Sequence, residues 1–141
     1  MDHQIRTVTA TDKVAVAAEL AGRPGRTLVL VRTKHRAARL ARQLDRAGVR
    51  AGALHGNLAQ PARTRALVAF AAGTVPVLVA TDIAARGLHV DGIGQVVHFD
   101  PPAEPKAYLH RSGRTAARPY GPRRRTTSLP TSPNLRPVLA G

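Results

Sequence analysis

Residues 75–88, Val-Pro-Val-Leu-Val-Ala-Thr-Asp-Ile-Ala-Ala-Arg-Gly-Leu, run from an apolar segment into a polar, arginine-bearing turn. Val75 to Ala80 shows no alternation of apolar and polar residues. It reads as a strand buried on both faces, as in a parallel sheet, with Pro76 marking its start because proline donates no ladder hydrogen bond. Thr27 to Val31 repeats the pattern, and helical spacing takes over between such runs. Val14, Ala17, Ala18 and Ala21 place a helix over Lys13 to Ala21, with Thr11 and Asp12 as caps and Gly22 as the stop. Ala37, Leu40, Ala41, Leu44 and Ala47 mark a second helix, capped by Thr33 and ended by Gly48. Pro61 suits the first turn of a third, which carries Leu67 and Phe70 inward before Gly73. Val49 to Leu54 is a weaker strand and Gln95 to Phe99 another; Pro101 and Pro102 then precede a helix around Glu104 to Arg111. Alternating strands and helices imply right-handed βαβ units, hence an α/β fold with a mostly parallel sheet, helices on both faces and ligands at the carboxyl ends of the strands.

The chain's 141 residues suit one domain with one core. The absence of cysteine excludes a disulfide framework, a thiolate metal site and a cysteine nucleophile. No apolar run nears the roughly 20 residues of a membrane span, and Met1 to Ala10 lacks the apolar core of a signal peptide, so a soluble cytoplasmic protein without a membrane partner is expected. Aromatic residues make up 3% of the chain, too few for single-strand binding by base stacking. The net charge is +14, and residues 105–141 contain no acidic residue. That imbalance favours a polyanionic partner, nucleic acid above all, although arginine-rich composition also produces merely solvated basic surface. Beyond Pro119 the periodic pattern ends among prolines, Arg123, Arg124 and Arg125. The expected organisation is an N-terminal segment over 1–10, a lobe over 11–118 and a disordered, basic, proline-rich tail over 119–141.

Searches for familiar catalytic patterns fail. There is no phosphate-loop Gly-x-x-x-x-Gly-Lys-Ser/Thr, no dinucleotide fingerprint and no paired carboxylates, and the six histidines lack metal-ligand spacing, so no metal site is expected. What remains is a series of clusters at strand ends: His55-Gly56 with Gln60 and Arg63; Ala80 to Leu88; and Tyr108-Leu109-His110-Arg111-Ser112-Gly113-Arg114-Thr115. Each alone has an ordinary explanation as turn glycines or helix surface. Their order, on the expected elements, does not.

This ensemble resembles the second RecA-like lobe of the DEAD-box ATP-dependent RNA helicases, over roughly residues 10–116. Leu28 to Lys34 is similar to that family's motif IV, His55-Gly56 through Arg63 to its Gln-x-x-Arg element, Thr81 to Leu88 to motif V, and His110 to Thr115 to motif VI. The resemblance implies a RecA-like three-layer fold in which Thr33, Gly56, Arg63, Thr81 and Arg86 line an RNA backbone without reading bases. It implies that Arg111, Gly87 and His89 lie at the nucleotide, that Arg114 reaches toward the γ-phosphate, and that His110 couples that site to the partner lobe. ATP and Mg²⁺ are implied only when a first RecA-like lobe, supplied separately for a lobe alone, brings the phosphate loop and the Asp-Glu-Ala-Asp motif.

Three departures stand out. His89 occupies the place of a family aspartate expected to accept from the ribose hydroxyls. Ala117 occupies that of the second motif VI arginine, and Arg118 follows one position, or about 100° of helix rotation, later. After Gly121, Pro122 and three arginines replace an expected apolar strand, so the sheet is expected to lack its last strand. The reading is a truncated helicase lobe, inactive alone. The alternatives are a non-catalytic RNA-binding or regulatory module and a non-functional gene fragment.

Overall fold

The computed structural model describes residues 2–86, 88, 92–100 and 125–130. Among the described residues six strands, β1 (Asp2–Ile5), β2 (Arg26–Val31), β3 (Ala51–Leu54), β4 (Val77–Thr81), β5 (Ile93–His98) and β6 (Arg125–Ser128), form one sheet in the order β1-β6-β5-β2-β4-β3. Every pairing is parallel. The helices described with them are α1 (Lys13–Ala21), α2 (Lys34–Arg46), α3 (Gln60–Ala72) and α4 (Asp82–Ala85). Among the described residues no helix is long and apolar enough to cross a membrane.

Strand side chains alternate between two cores. Val29 and Val31 of β2 pack on one face with Leu40 and Leu44 of α2 and Leu20 of α1. Leu28 and Leu30 pack on the other with Phe70 of α3 and Ala84 of α4. This division follows from handedness: the β1→β2 and β2→β3 crossovers run one way along the sheet and the β3→β4 and β4→β5 crossovers the other, so right-handed connections put their helices on opposite faces. Phe70 is fully buried, a burial that contributes about 1.5–3 kcal/mol. At the amino edge of the sheet the chain enters β2, β3, β4 and β5 just after Gly25, Gly48, Gly73 and Gly92, all at positive φ, a conformation that favours glycine.

The expected missing strand needs correction, and with it the expected disorder of residues 125–130; the rest of the tail lies outside the described residues. Residues 125–128 form β6 inside the sheet, paired to β5 from Gln95↔Arg125 to His98↔Ser128 and to β1 on its other side. Thr126, Thr127, Ser128 and Leu129 are buried. The N-terminal segment likewise enters the fold: β1 is an outer strand, and Val8 is buried and donates its N–H to the Pro130 carbonyl. The fold therefore reaches beyond 11–118 in both directions. β6 carries no apolar run. Its burial is of threonine, whose branched side chain fits a pleated surface.

Candidate functional site

Register places the sequence clusters together. Leu54, Ala80, Leu30, His98 and Ser128 pair in a single row across β3, β4, β2, β5 and β6. Immediately beyond it, at the carboxyl edge, come His55-Gly56, Thr81 to Arg86, Arg32-Thr33 and Phe99-Asp100. Neighbouring strands are about 4.8 Å apart, so the first three clusters fall across roughly 10 Å of one edge. This is also where the path of the chain reverses: β3 and β4 lie on one side of β2, and β5 on the other.

Each residue reaches the edge for a local reason. Thr33 is extended (φ −129°, ψ 156°) and caps α2, its Oγ1 accepting from the Arg36 N–H at 3.2 Å. Thr81 caps α4 in the same way, accepting from the Ala84 N–H at 3.3 Å. A threonine hydroxyl that accepts from a helix amide still has its own proton to donate, and a phosphate oxygen is a suitable acceptor. The start of α3 has no side-chain cap: Ala59 stands at the cap position and Pro61 in the first turn, so a 13-residue helix presents uncapped amino-end N–H groups to this edge. Arg63 lies in that first turn, half-buried, and Arg86 is exposed just after α4.

Gly56 contrasts with the glycines of the opposite edge. Its φ is not positive, and an added Cβ would meet nothing within 4 Å. The fold does not require glycine there. A bare backbone at this edge would let another chain's backbone approach closely.

Behind the edge sits a charged group that the sequence reading missed. Asp100, 2% exposed, accepts from the Arg32 backbone N–H at 3.0 Å through Oδ2. Its Oδ1 is bound by the Arg36 guanidinium and by the Lys13 ammonium at 3.4 Å. Lys13 also lies over the Phe99 ring, 4.5 Å from the centroid. Burial pushes the Lys13 ammonium below its usual 10.5, and Asp100 opposes only part of that shift. One carboxylate thus ties α1, the Arg32-Thr33 turn and the first turn of α2 to the end of β5. The available signal was a lone acid directly after a buried strand, in a chain with few acids.

Of the site residues expected from sequence, the structure brings Thr33, Gly56, Arg63, Thr81 and Arg86 to one edge. Arg114, His110, Arg111, Gly87 and His89, with Ala117 and the helix expected around Glu104 to Arg111, lie outside the described residues. Among the described residues, no three histidine, aspartate or glutamate side chains group as a metal site would need.

A three-layer parallel sheet with phosphate-suited groups at its carboxyl edge is the architecture of a RecA-like lobe. Residues 12–118 match the family described as the helicase conserved C-terminal domain, and the chain belongs to that family, in its DEAD-box branch. The RNA helicase RhlB of Xanthomonas axonopodis pv. citri is 48% identical over 91 residues, 64% of this chain and 16% of RhlB. The DEAD-box RNA helicase CshA of Bacillus subtilis is 47% identical over 92 residues, 65% of this chain and 19% of CshA. The chain thus spans under a fifth of either relative. Among solved structures, the DEAD-box protein SrmB of E. coli, bound to regulator of ribonuclease activity A, superposes with a TM-score of 0.82 at 35% identity, covering 93% of this chain and 78% of that one. Dbp5 of S. cerevisiae, bound to RNA and ADP BeF3, gives 0.80 at 30%, covering 94% and 36%.

Proposed function

We propose that this chain works in the cytoplasm as the second lobe of an ATP-dependent RNA helicase, holding an RNA strand by its backbone and completing an ATP site formed with a first lobe. The observation that carries this reading is the gathering of Thr33, Gly56, the open start of α3, Thr81 and Arg86 at one carboxyl edge, where every contributed group suits a phosphate and none suits a particular base. Binding is then indifferent to sequence. The likeness to Dbp5, solved with RNA and a nucleotide analogue, supports the same placement.

The nucleotide side of the proposal rests on motif VI. In that reading Arg114 would stabilise charge at the transferred phosphoryl group, Arg111 and Gly87 would help hold the nucleotide, and His110 would link that site to the first lobe. ATP with Mg²⁺, when bound by both lobes, supplies the free energy of closure. The 141 residues contain no phosphate loop and no Asp-Glu-Ala-Asp, so the chain by itself does not hydrolyse ATP.

Fusion behind an active DEAD-box first lobe tests the reading. RNA-stimulated hydrolysis by the fusion is expected to be slow, because His89 cannot accept from ribose hydroxyls as a carboxylate would and Ala117 offers no guanidinium. Ala117→Arg raises the rate more than His89→Asp, since a guanidinium acting on the transition state is worth about 10³–10⁵ in related systems, whereas a ribose contact acts mainly on KM. Arg114→Ala abolishes turnover. A fusion whose RNA-stimulated rate survives Arg114→Ala contradicts the proposal.

A further inference from the structure

The outer face of α2 carries a basic stripe that the carboxyl-edge site does not use. His35, Arg39, Arg42 and Arg46 are all exposed. At about 100° and 1.5 Å per residue, positions 35, 39, 42 and 46 fall within roughly 60° of arc and extend about 16 Å along the helix. The inner face, Ala37, Leu40, Ala41 and Leu44, is buried in the core, so the stripe faces away from it. Among the described residues Arg39, Arg42 and Arg46 make no ion pair. The one acid of the helix, Asp45, lies off the stripe, and its Oδ1 accepts from the Ala51 N–H at 3.1 Å. Three like charges within three turns repel one another and bring the fold no partner. Each would gain from a run of anions at matching intervals. The helix begins at Thr33, so the stripe starts at the carboxyl edge and leads away from it down the face of the lobe.

We infer that this stripe is a second phosphate track, which takes the backbone of an RNA longer than the edge itself holds. The inference rests on the carboxyl edge being an RNA site. Arginine presents guanidinium forks to successive phosphates and ignores sequence, as the edge does. The track lengthens the footprint and makes affinity depend on RNA length and salt.

The experiment compares the full chain with the triple variants Arg39→Ala/Arg42→Ala/Arg46→Ala and Arg39→Lys/Arg42→Lys/Arg46→Lys. All three positions are exposed, and alanine and lysine both favour helix, so the fold is kept; circular dichroism checks this. Binding of homopolymeric single-stranded RNAs of about 5 and about 16 nucleotides is measured over a range of salt. For the long RNA the alanine variant is expected to lose affinity of the order of tenfold or more at low salt, with a log–log salt slope shallower by about 2, from 0.7 per phosphate contact. The lysine variant restores the slope, and the short RNA binds all three proteins alike. An unchanged slope for the long RNA overturns the inference and leaves a solvated face. Equal losses for both RNAs overturn it too, because the arginines then belong to the edge. Retained RNA binding with lost binding of polyglutamate overturns it in favour of an acidic protein partner. Long-RNA binding that depends on the stripe in a chain that does not hold the short RNA keeps the track and removes the edge site.

Discussion

Gly56 and Asp100 stand at the same edge and carry opposite burdens. Gly56 has ordinary backbone geometry and open space, so Gly56→Ala is expected to leave stability unchanged or raise it by up to about 1 kcal/mol through the unfolded chain. It should weaken RNA binding by about fivefold, the worth of one hydrogen bond lost when a methyl group holds the strand off. Asp100 touches no expected ligand yet organises three segments. Asp100→Ala leaves the Lys13 ammonium, 12% exposed, and the Arg32 N–H without their acceptor. The cost is about 2–3 kcal/mol, below that of breaking a fully buried pair because the Arg36 side chain, 55% exposed, can turn to water. Urea unfolding and RNA titration of both variants check the pair: the account expects each to move one measurement far more than the other, and a Gly56→Ala protein that unfolds early contradicts it. Thr33 was legible as a cap because cap chemistry is local, whereas Gly56 and Thr81 were singled out by the resemblance of their clusters. Asp100 was not, since its meaning depends on Lys13 and Arg36, which are distant in sequence.

At the scale of elements, β2, α1, α2, α3, β4 and β5 were readable to within a few residues because each carries its own period, cap or stop. β6 was not. Arg-Thr-Thr-Ser has no apolar pattern, and its place between β5 and β1 is set by pairing across distant segments of chain. β1 depends on it, since β6 is its partner in the sheet. A proline at Thr127 removes an N–H from a strand with neighbours on both sides, so Thr127→Pro, which leaves a buried acceptor unpaired, should cost about 1–3 kcal/mol. The expected result is a lower thermal midpoint and easier proteolysis near residues 2–8 as well as near 125–130. A proline variant as stable as the parent would show that residues 125–128 do not belong to the sheet.

For the whole molecule, the division of labour between edges is the main consequence of topology. The amino edge is built from tight glycine turns, and the carboxyl edge from caps, an open helix start and exposed arginine. The fold class followed from alternation alone, and the site from the order of the clusters. The charge of +14 favours a polyanionic partner and leaves the surface open, because charge counts carry no geometry. The most direct test of the central claim, that the carboxyl edge holds RNA by its backbone, is mapping of amide shifts in the isotopically labelled chain as a short homopolymeric single-stranded RNA is added. The account predicts that the shifts concentrate at Arg32 to Arg36, His55 to Asn57, Gln60, Ala62, Arg63 and Thr81 to Arg86, with the same pattern for RNAs of different base. Shifts confined to the turns at Gly25, Gly48, Gly73 and Gly92, or a pattern that changes with the base, would contradict it.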